Sequence, residues 1–157
     1  MVLKIEKAQL CDISVLVELR LEFLREDNGY LEEHDAESIR NGLPAYFKAH
    51  LDKDIICYIL RDGNDIVSCA FLLIVEKPLS PAFPNGKTGT VLNVYTRPAF
   101  RRRGYAKMIM EELIADAKRM DLCVIDLKAT DAGYPLYRSL GFADDLSKYH
   151  PMKLRSL

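Results

Sequence analysis

The stretch Val91-Leu92-Asn93-Val94-Tyr95-Thr96-Arg97-Pro98-Ala99-Phe100-Arg101-Arg102-Arg103-Gly104-Tyr105-Ala106 runs an apolar strand into an arginine-rich turn that opens an amphipathic helix. The first-turn amides of a helix have no partner inside it and carry the positive end of its dipole, so they suit a phosphate group. Gly104 lets the backbone approach a pyrophosphate closely, and the small Ala106 leaves the amides unshielded. Arg101, Arg102 and Arg103 add charge and donors with no acid beside them in the sequence. Taken alone, these residues also fit a solvated turn before an ordinary helix. The dinucleotide-binding fingerprint is excluded because two of its three glycines are missing, and a P-loop because no Gly-Lys-Ser/Thr follows.

A second informative stretch, Ala129-Thr130-Asp131-Ala132-Gly133-Tyr134-Pro135-Leu136-Tyr137-Arg138-Ser139-Leu140-Gly141-Phe142, follows a further strand. On residue type alone Tyr137 is a packing residue on a short helix. Together the two stretches resemble the GNAT superfamily of N-acetyltransferases, whose signature is Arg/Gln-x-x-Gly-x-Gly/Ala after a strand and Leu-Tyr-x-x-x-Gly-Phe after a further strand and helix. The matching residues are Arg101, Gly104 and Ala106, then Leu136, Tyr137, Gly141 and Phe142. The order of elements follows the family over essentially the whole chain.

The resemblance implies an acetyl-coenzyme A-dependent acyltransferase with no metal. In that reading Arg101, Arg102, Arg103, Gly104, Tyr105 and Ala106 hold the coenzyme A pyrophosphate through backbone amides. Val94 and Thr96 pair with the pantetheine arm as though it were another strand. The Val94 amide polarises the thioester carbonyl and stabilises the oxyanion. Tyr137 protonates the departing thiolate as general acid. Two departures stand out. Thr130 occupies the position, seven residues before the Tyr, where many members carry an Asn that contacts pantetheine. No acid lies between Thr90 and Thr96, where many members carry a glutamate as general base, so Glu76 or an ordered water is left for that role. A non-catalytic acyl-coenzyme A-binding regulatory module is the competing reading, and the presence of Tyr137 and Gly104 favours the enzyme.

The amine side is less defined. Glu18, Glu22, Glu26, Asp27, Glu32, Glu33, Asp35 and Glu37 outnumber Arg20 and Arg25 in the region that forms one wall of the family's acceptor site. Such a run is either a solvated helix face or a wall favouring a cationic amine. Tyr30, Tyr46 and Tyr58 fit either a pocket lining or the core.

The elements that must position these residues follow from periodicity. Val2–Lys7 alternates as a strand, and Asp12 is placed to cap a helix carrying Ile13, Leu16, Val17, Leu21 and Leu24. Asp35 is placed to cap a short helix broken at Gly42-Leu43-Pro44, with another from Pro44 to Leu51. Ile55–Leu60 and Ile66–Val75 form a hairpin whose two-residue Gly63-Asn64 loop sets Cys57 opposite Ala70. Thr90–Tyr95 is a strand, a helix follows with Ala106, Ile109, Met110, Leu113, Ile114 and Ala117 on one face, and Leu122–Leu127 is a strand suited to a central position. Gly133–Leu140 is a short helix with Pro135 in its first turn, and Phe142 onward and Met152–Leu157 supply the last strands. The expected fold is α/β (α+β), a GNAT-like mixed, mostly antiparallel central sheet with helices on both faces.

Residues 1–157 carry no Pro/Gly/Ser-rich linker and read as a single acyl-CoA N-acyltransferase domain. A net charge of −1 argues against general nucleic-acid binding. The longest apolar run, Cys69–Val75, is too short to span a bilayer, and the charged first dozen residues do not resemble a signal peptide, so no membrane association and a cytoplasmic location are expected. The scattered cysteines and histidines suggest neither a metal site nor a disulfide framework. Either a monomer or a homodimer is compatible with the sequence.

Overall fold

Two apolar segments with side chains buried on both faces, β2 (Ile55–Asp62) and β3 (Asp65–Glu76), form the centre of the sheet. The computed structural model describes residues 2–156. Among these, β1 (Leu3–Lys7), β2, β3, β4 (Lys87–Thr96) and β5 (Val124–Asp126) lie in sequence order in one sheet. The pairs are antiparallel except β4 with β5, which is parallel. Helices α1 (Ile13–Asp27) and α2 (Glu33–His50) cover one face, and α3 (Tyr105–Arg119) and α4 (Tyr134–Ser139) pack on the other.

The period of two in β2 divides the core. Ile55, Cys57 and Ile59 face α1 and α2, whereas Ile56, Tyr58 and Leu60 face α3. Full burial of Leu16, Leu19, Phe47 or Leu113 contributes roughly 1.5–3 kcal/mol per side chain. A polar pin crosses the second face: the Tyr58 hydroxyl donates to Asp116 of α3, and Lys7 Nζ lies 3.0 Å from the same carboxylate. Burial opposes ionisation of Asp116, but the hydrogen bonds from Tyr58 and Lys7 outweigh it and hold the carboxyl below its usual range.

Several expected details differ. The break at Pro44 does not occur: α2 is continuous, with Pro44 inside it. Its stripe of Ala36, Ile39, Leu43 and Phe47 packs on one core, and Phe47 meets the Phe71 ring edge-on at 5.7 Å, which offsets the lost backbone bond. Asp35 lies within this helix, and Asp12, instead of capping α1 with its side chain, accepts from the Gln9 amide at 2.8 Å and from Arg61 at 2.7 Å. The hairpin register starts as expected at Asp62–Asp65, but an extra residue, Val67, shifts it so that Cys57 faces Phe71. β5 lies at the sheet edge with no fully buried residue and is not central. From Phe142 to Ser156 no strand forms; Asp144, Asp145 and Pro151 interrupt any alternation, and Leu146 and Met152 stand about 90% or more exposed. Leu157, the last residue of the expected terminal strand, lies outside the described residues. No helix among them is long and apolar enough to cross a membrane.

Candidate functional site

The parallel β4–β5 ladder is short. It joins Thr88–Thr90 to Val124–Asp126, and the Thr90 hydroxyl donates to Asp126 at 2.7 Å on its last rung. Beyond Thr90 the strands diverge, leaving one edge of β4 without a strand partner among the described residues. A cleft of about 680 Å³ lies along that edge. Val94 and Thr96 line it from β4, Arg101, Arg102, Gly104, Tyr105 and Ala106 from the turn and α3, Thr130 and Tyr137 from the α4 side, and Phe23 and Glu26 from α1. β4 is bulged here: Asn93 and Val94 together oppose Ala70, and Asn93 takes a left-handed φ of 54°.

The turn before α3 has the backbone of an anion cradle. φ is positive at Arg102 (61°) and Gly104 (77°) and negative at Arg101 between them and the strand, an alternation that aims successive amides to one side. A Cβ placed on Gly104 would meet nothing within 4 Å, so the space in front of the turn is open.

The arginines divide, contrary to the acid-free neighbourhood expected from the sequence. Arg101 donates to both oxygens of Glu26, at 2.6 and 2.5 Å, and to the Thr96 carbonyl at 2.8 Å. The hydrogen bond from Arg101 holds the Glu26 carboxyl below its usual range, and the same bond raises the guanidinium. Arg103 stacks on Phe100, lies 3.9 Å from buried Asp62, and is not part of the cleft lining. Arg102 lines the cleft and has no ion-pair partner among the described residues.

Tyr137 is positioned by two glycines. Gly141, at φ 98°, closes α4 so that the Phe142 amide donates back to the Tyr137 carbonyl at 3.0 Å. Phe142 then meets the Tyr137 ring edge-on at 6.0 Å. At Gly133 a Cβ would come within 2.9 Å of the Tyr137 ring, so a larger residue there would push the ring from its place. Burial alone pushes the Tyr137 phenol above its ordinary pKa, and its hydroxyl has no hydrogen-bond partner among the described residues. Because the shift is upward, the protonated phenol persists to higher pH. Activity is therefore expected to show no loss from Tyr137 ionisation below about pH 10; a kcat–pH profile from 6 to 10 checks this.

The remaining candidates fall as follows. Thr130 lines the cleft, and its hydroxyl accepts from the Gly133 amide at 3.1 Å, which ties it to the start of α4. Glu76 is not brought to the site: it pairs with Lys87, seven residues along β3 from Cys69, roughly 23 Å by strand rise. Glu18, Glu22 and Glu26 are paired with Arg40, Arg97 and Arg101, which neutralises three of the eight acids of that wall. Tyr58 is core and Tyr30 is exposed. Burial pushes the Cys69 thiol up to about 12 and Cys57 higher still, which removes both as nucleophiles. The sequence reading missed Glu26 as the Arg101 partner, Gly133 as the seat of Tyr137, and Asn93 as the bulge residue. An Asn inside an apolar strand was the available signal for the last.

The cleft thus joins a sheet that splays beside an arginine-rich, glycine-containing turn to Tyr137 across the gap. The family model described as "Acetyltransferase (GNAT) family" matches residues 16–142. The chain belongs to this family and is an acetyltransferase. A predicted acetyltransferase from Clostridium acetobutylicum, solved with acetyl-CoA, is 28% identical with a TM-score of 0.84, over 97% of this chain and 96% of the other. A GCN5-related N-acetyltransferase from Ralstonia eutropha shares the fold at 22% identity and a TM-score of 0.77, over 96% and 99%. Glucosamine-6-phosphate N-acetyltransferase from Arabidopsis thaliana does so at 18% and 0.72, over 99% and 100%. No curated protein matches the sequence.

Proposed function

We propose that residues 1–157 act as one domain that transfers an acetyl group from acetyl-coenzyme A to a primary amine, by direct attack within a ternary complex. The observation that carries this reading is the meeting of the Arg101–Ala106 turn and Tyr137 across one cleft at the β4–β5 divergence. Acetyl-coenzyme A supplies the activated acyl group as a thioester. The turn amides bind its pyrophosphate, and Arg102 adds the charge that Arg101, held by Glu26, does not. The open edge of β4 at Val94 and Thr96 receives the pantetheine amides as a further strand would. The Val94 amide donates to the thioester carbonyl oxygen, where negative charge develops.

Tyr137 gives its proton to the leaving sulfur. A phenol near pKa ~10 and a thiol near ~8.5 are closely enough matched for that transfer, and burial keeps the phenol protonated. Water takes the amine proton, since Glu76 is remote and Glu26 is engaged by Arg101. A general attraction for cationic amines is weaker than the acid count implied, because three of those acids are already paired.

Coenzyme A is expected to raise the melting temperature, with NAD and ATP having little effect. A ligand at 100 times its Kd stabilises by about 2.7 kcal/mol, readily seen by calorimetry or dye fluorescence. No shift at millimolar coenzyme A would overturn the proposal.

A further inference from the structure

Arg20, on the inner side of α1, carries a charge that, like that of Arg102 in the turn, no ion pair among the described residues takes up. Its guanidinium is half-buried; its Nη1 donates to Asn93 Oδ1 at 3.1 Å and its Cζ sits 5.8 Å from the Phe23 ring centroid. Among the described residues no carboxylate lies within ion-pair distance of it. The arginines around it differ: Arg97 pairs with Glu22 at 3.2 Å, Arg101 with Glu26 at 2.5 Å, and Arg40 with Glu18 at 3.9 Å. A guanidinium has five N–H donors, and the protein satisfies one of these. Burial draws its pKa below the usual value, with Tyr46 and Asp27 acting the other way, so the site carries a desolvation cost that a bound anion would offset.

Neither Arg20 nor Asn93 is itself among the residues that line the cleft, but both adjoin residues that do. Asn93 is the left-handed bulge residue immediately before Val94, and Phe23 both lies under the guanidinium and lines the cleft. We infer that Arg20 selects the acceptor: the amine substrate also carries an oxyanion, a carboxylate or a phosphate, which the Arg20 guanidinium binds beside Asn93 while the amino group points toward Val94. The planar fork of donors matches such a group. This inference rests on the acetyl-transfer reading above and adds the class of acceptor.

The test is thiol release from acetyl-coenzyme A with matched pairs of amines. One arm compares amino acids with their methyl esters, and another compares amino-sugar phosphates with the unphosphorylated amino sugars. The parent protein is expected to favour the anionic member of at least one arm by about 10- to 100-fold in kcat/KM, the value of one charge-assisted contact. The arm that responds separates carboxylate from phosphate. Arg20→Gln keeps a donor for Asn93 but removes the charge; it should bring each pair close to parity, leaving the neutral amines and the KM for acetyl-coenzyme A unchanged. Arg20→Lys should restore part of the preference. Equal use of both members by the parent would overturn the inference, as would an Arg20→Gln loss of the same size for both members, which would make Arg20 a support for the bulge. No amine-dependent thiol release above the hydrolysis background, with any member of either arm, would instead overturn acetyl transfer itself. Unchanged melting curves in both variants confirm that selectivity, and not folding, is being read.

Discussion

Gly104→Glu is expected to abolish the melting-temperature rise that coenzyme A produces, while the protein still folds. Gly104 holds φ at 77°, and the space its Cβ would occupy is empty, so the substitution meets no clash. A non-glycine residue in left-handed backbone costs roughly 1–2 kcal/mol. A negative charge at the start of α3 returns about 0.3–1 kcal/mol through the helix dipole. For a chain of this size the net cost lowers the melting temperature by only a few degrees. The same carboxylate stands where the turn amides and Arg102 face the cleft, so it competes with a pyrophosphate both sterically and electrostatically. Gly104→Ala separates these causes, because it carries the backbone strain without the charge and should retain part of the coenzyme A shift. Thermal denaturation across a coenzyme A titration measures all three proteins. A full shift in a folded Gly104→Glu protein would remove this turn from the binding site.

The turn shows where local pattern suffices and where it does not. Arg101, Gly104 and Ala106 are legible because a strand, a glycine turn and a helix follow one another within a few residues, and each declares its own period. The partner of Arg101 is not legible: Glu26 lies 75 residues away, and only packing of α1 beside β4 brings it in. The same limit explains the hairpin. Gly63-Asn64 dictates the first pairs, but Val67 stands outside the ladder with β2, its side chain fully buried in the core on the α3 face. Pro44 misled for a related reason, since a local breaker was outweighed by Phe47 reaching Phe71 across the core. The apolar composition of β5 suggests a central strand, but what decides centrality is whether another strand covers its outer edge, and none among the described residues does. Tyr137 was legible through Gly141-Phe142, whose hydrogen bond and ring contact fix it physically. Gly133, four residues earlier on the same short helix, served the same ring, but the room left by its missing Cβ shows only once the ring is in place.

Tyr137→Phe is expected to reduce turnover by about 10²–10³-fold with little change in coenzyme A binding or stability. The substitution keeps the ring, its edge contact with Phe142 and its fit over Gly133. It removes only a hydroxyl that has no hydrogen-bond partner among the described residues, so no buried neighbour is orphaned and the usual cost of about 1–3 kcal/mol does not apply. The loss should fall on kcat and leave KM largely unchanged, because the proton matters only as charge develops on the sulfur. The pH profile offers an independent check. The protonated phenol persists throughout the neutral range, so the variant's deficit should stay constant from about pH 6 to 9 and not narrow toward alkaline pH. Steady-state kinetics with acetyl-coenzyme A and the best acceptor of the amine panel, run beside thermal denaturation, supplies both readings. Near-parent kcat in a stable Phe variant would assign the sulfur's proton to water and leave Tyr137 as a residue that shapes the cleft through its ring.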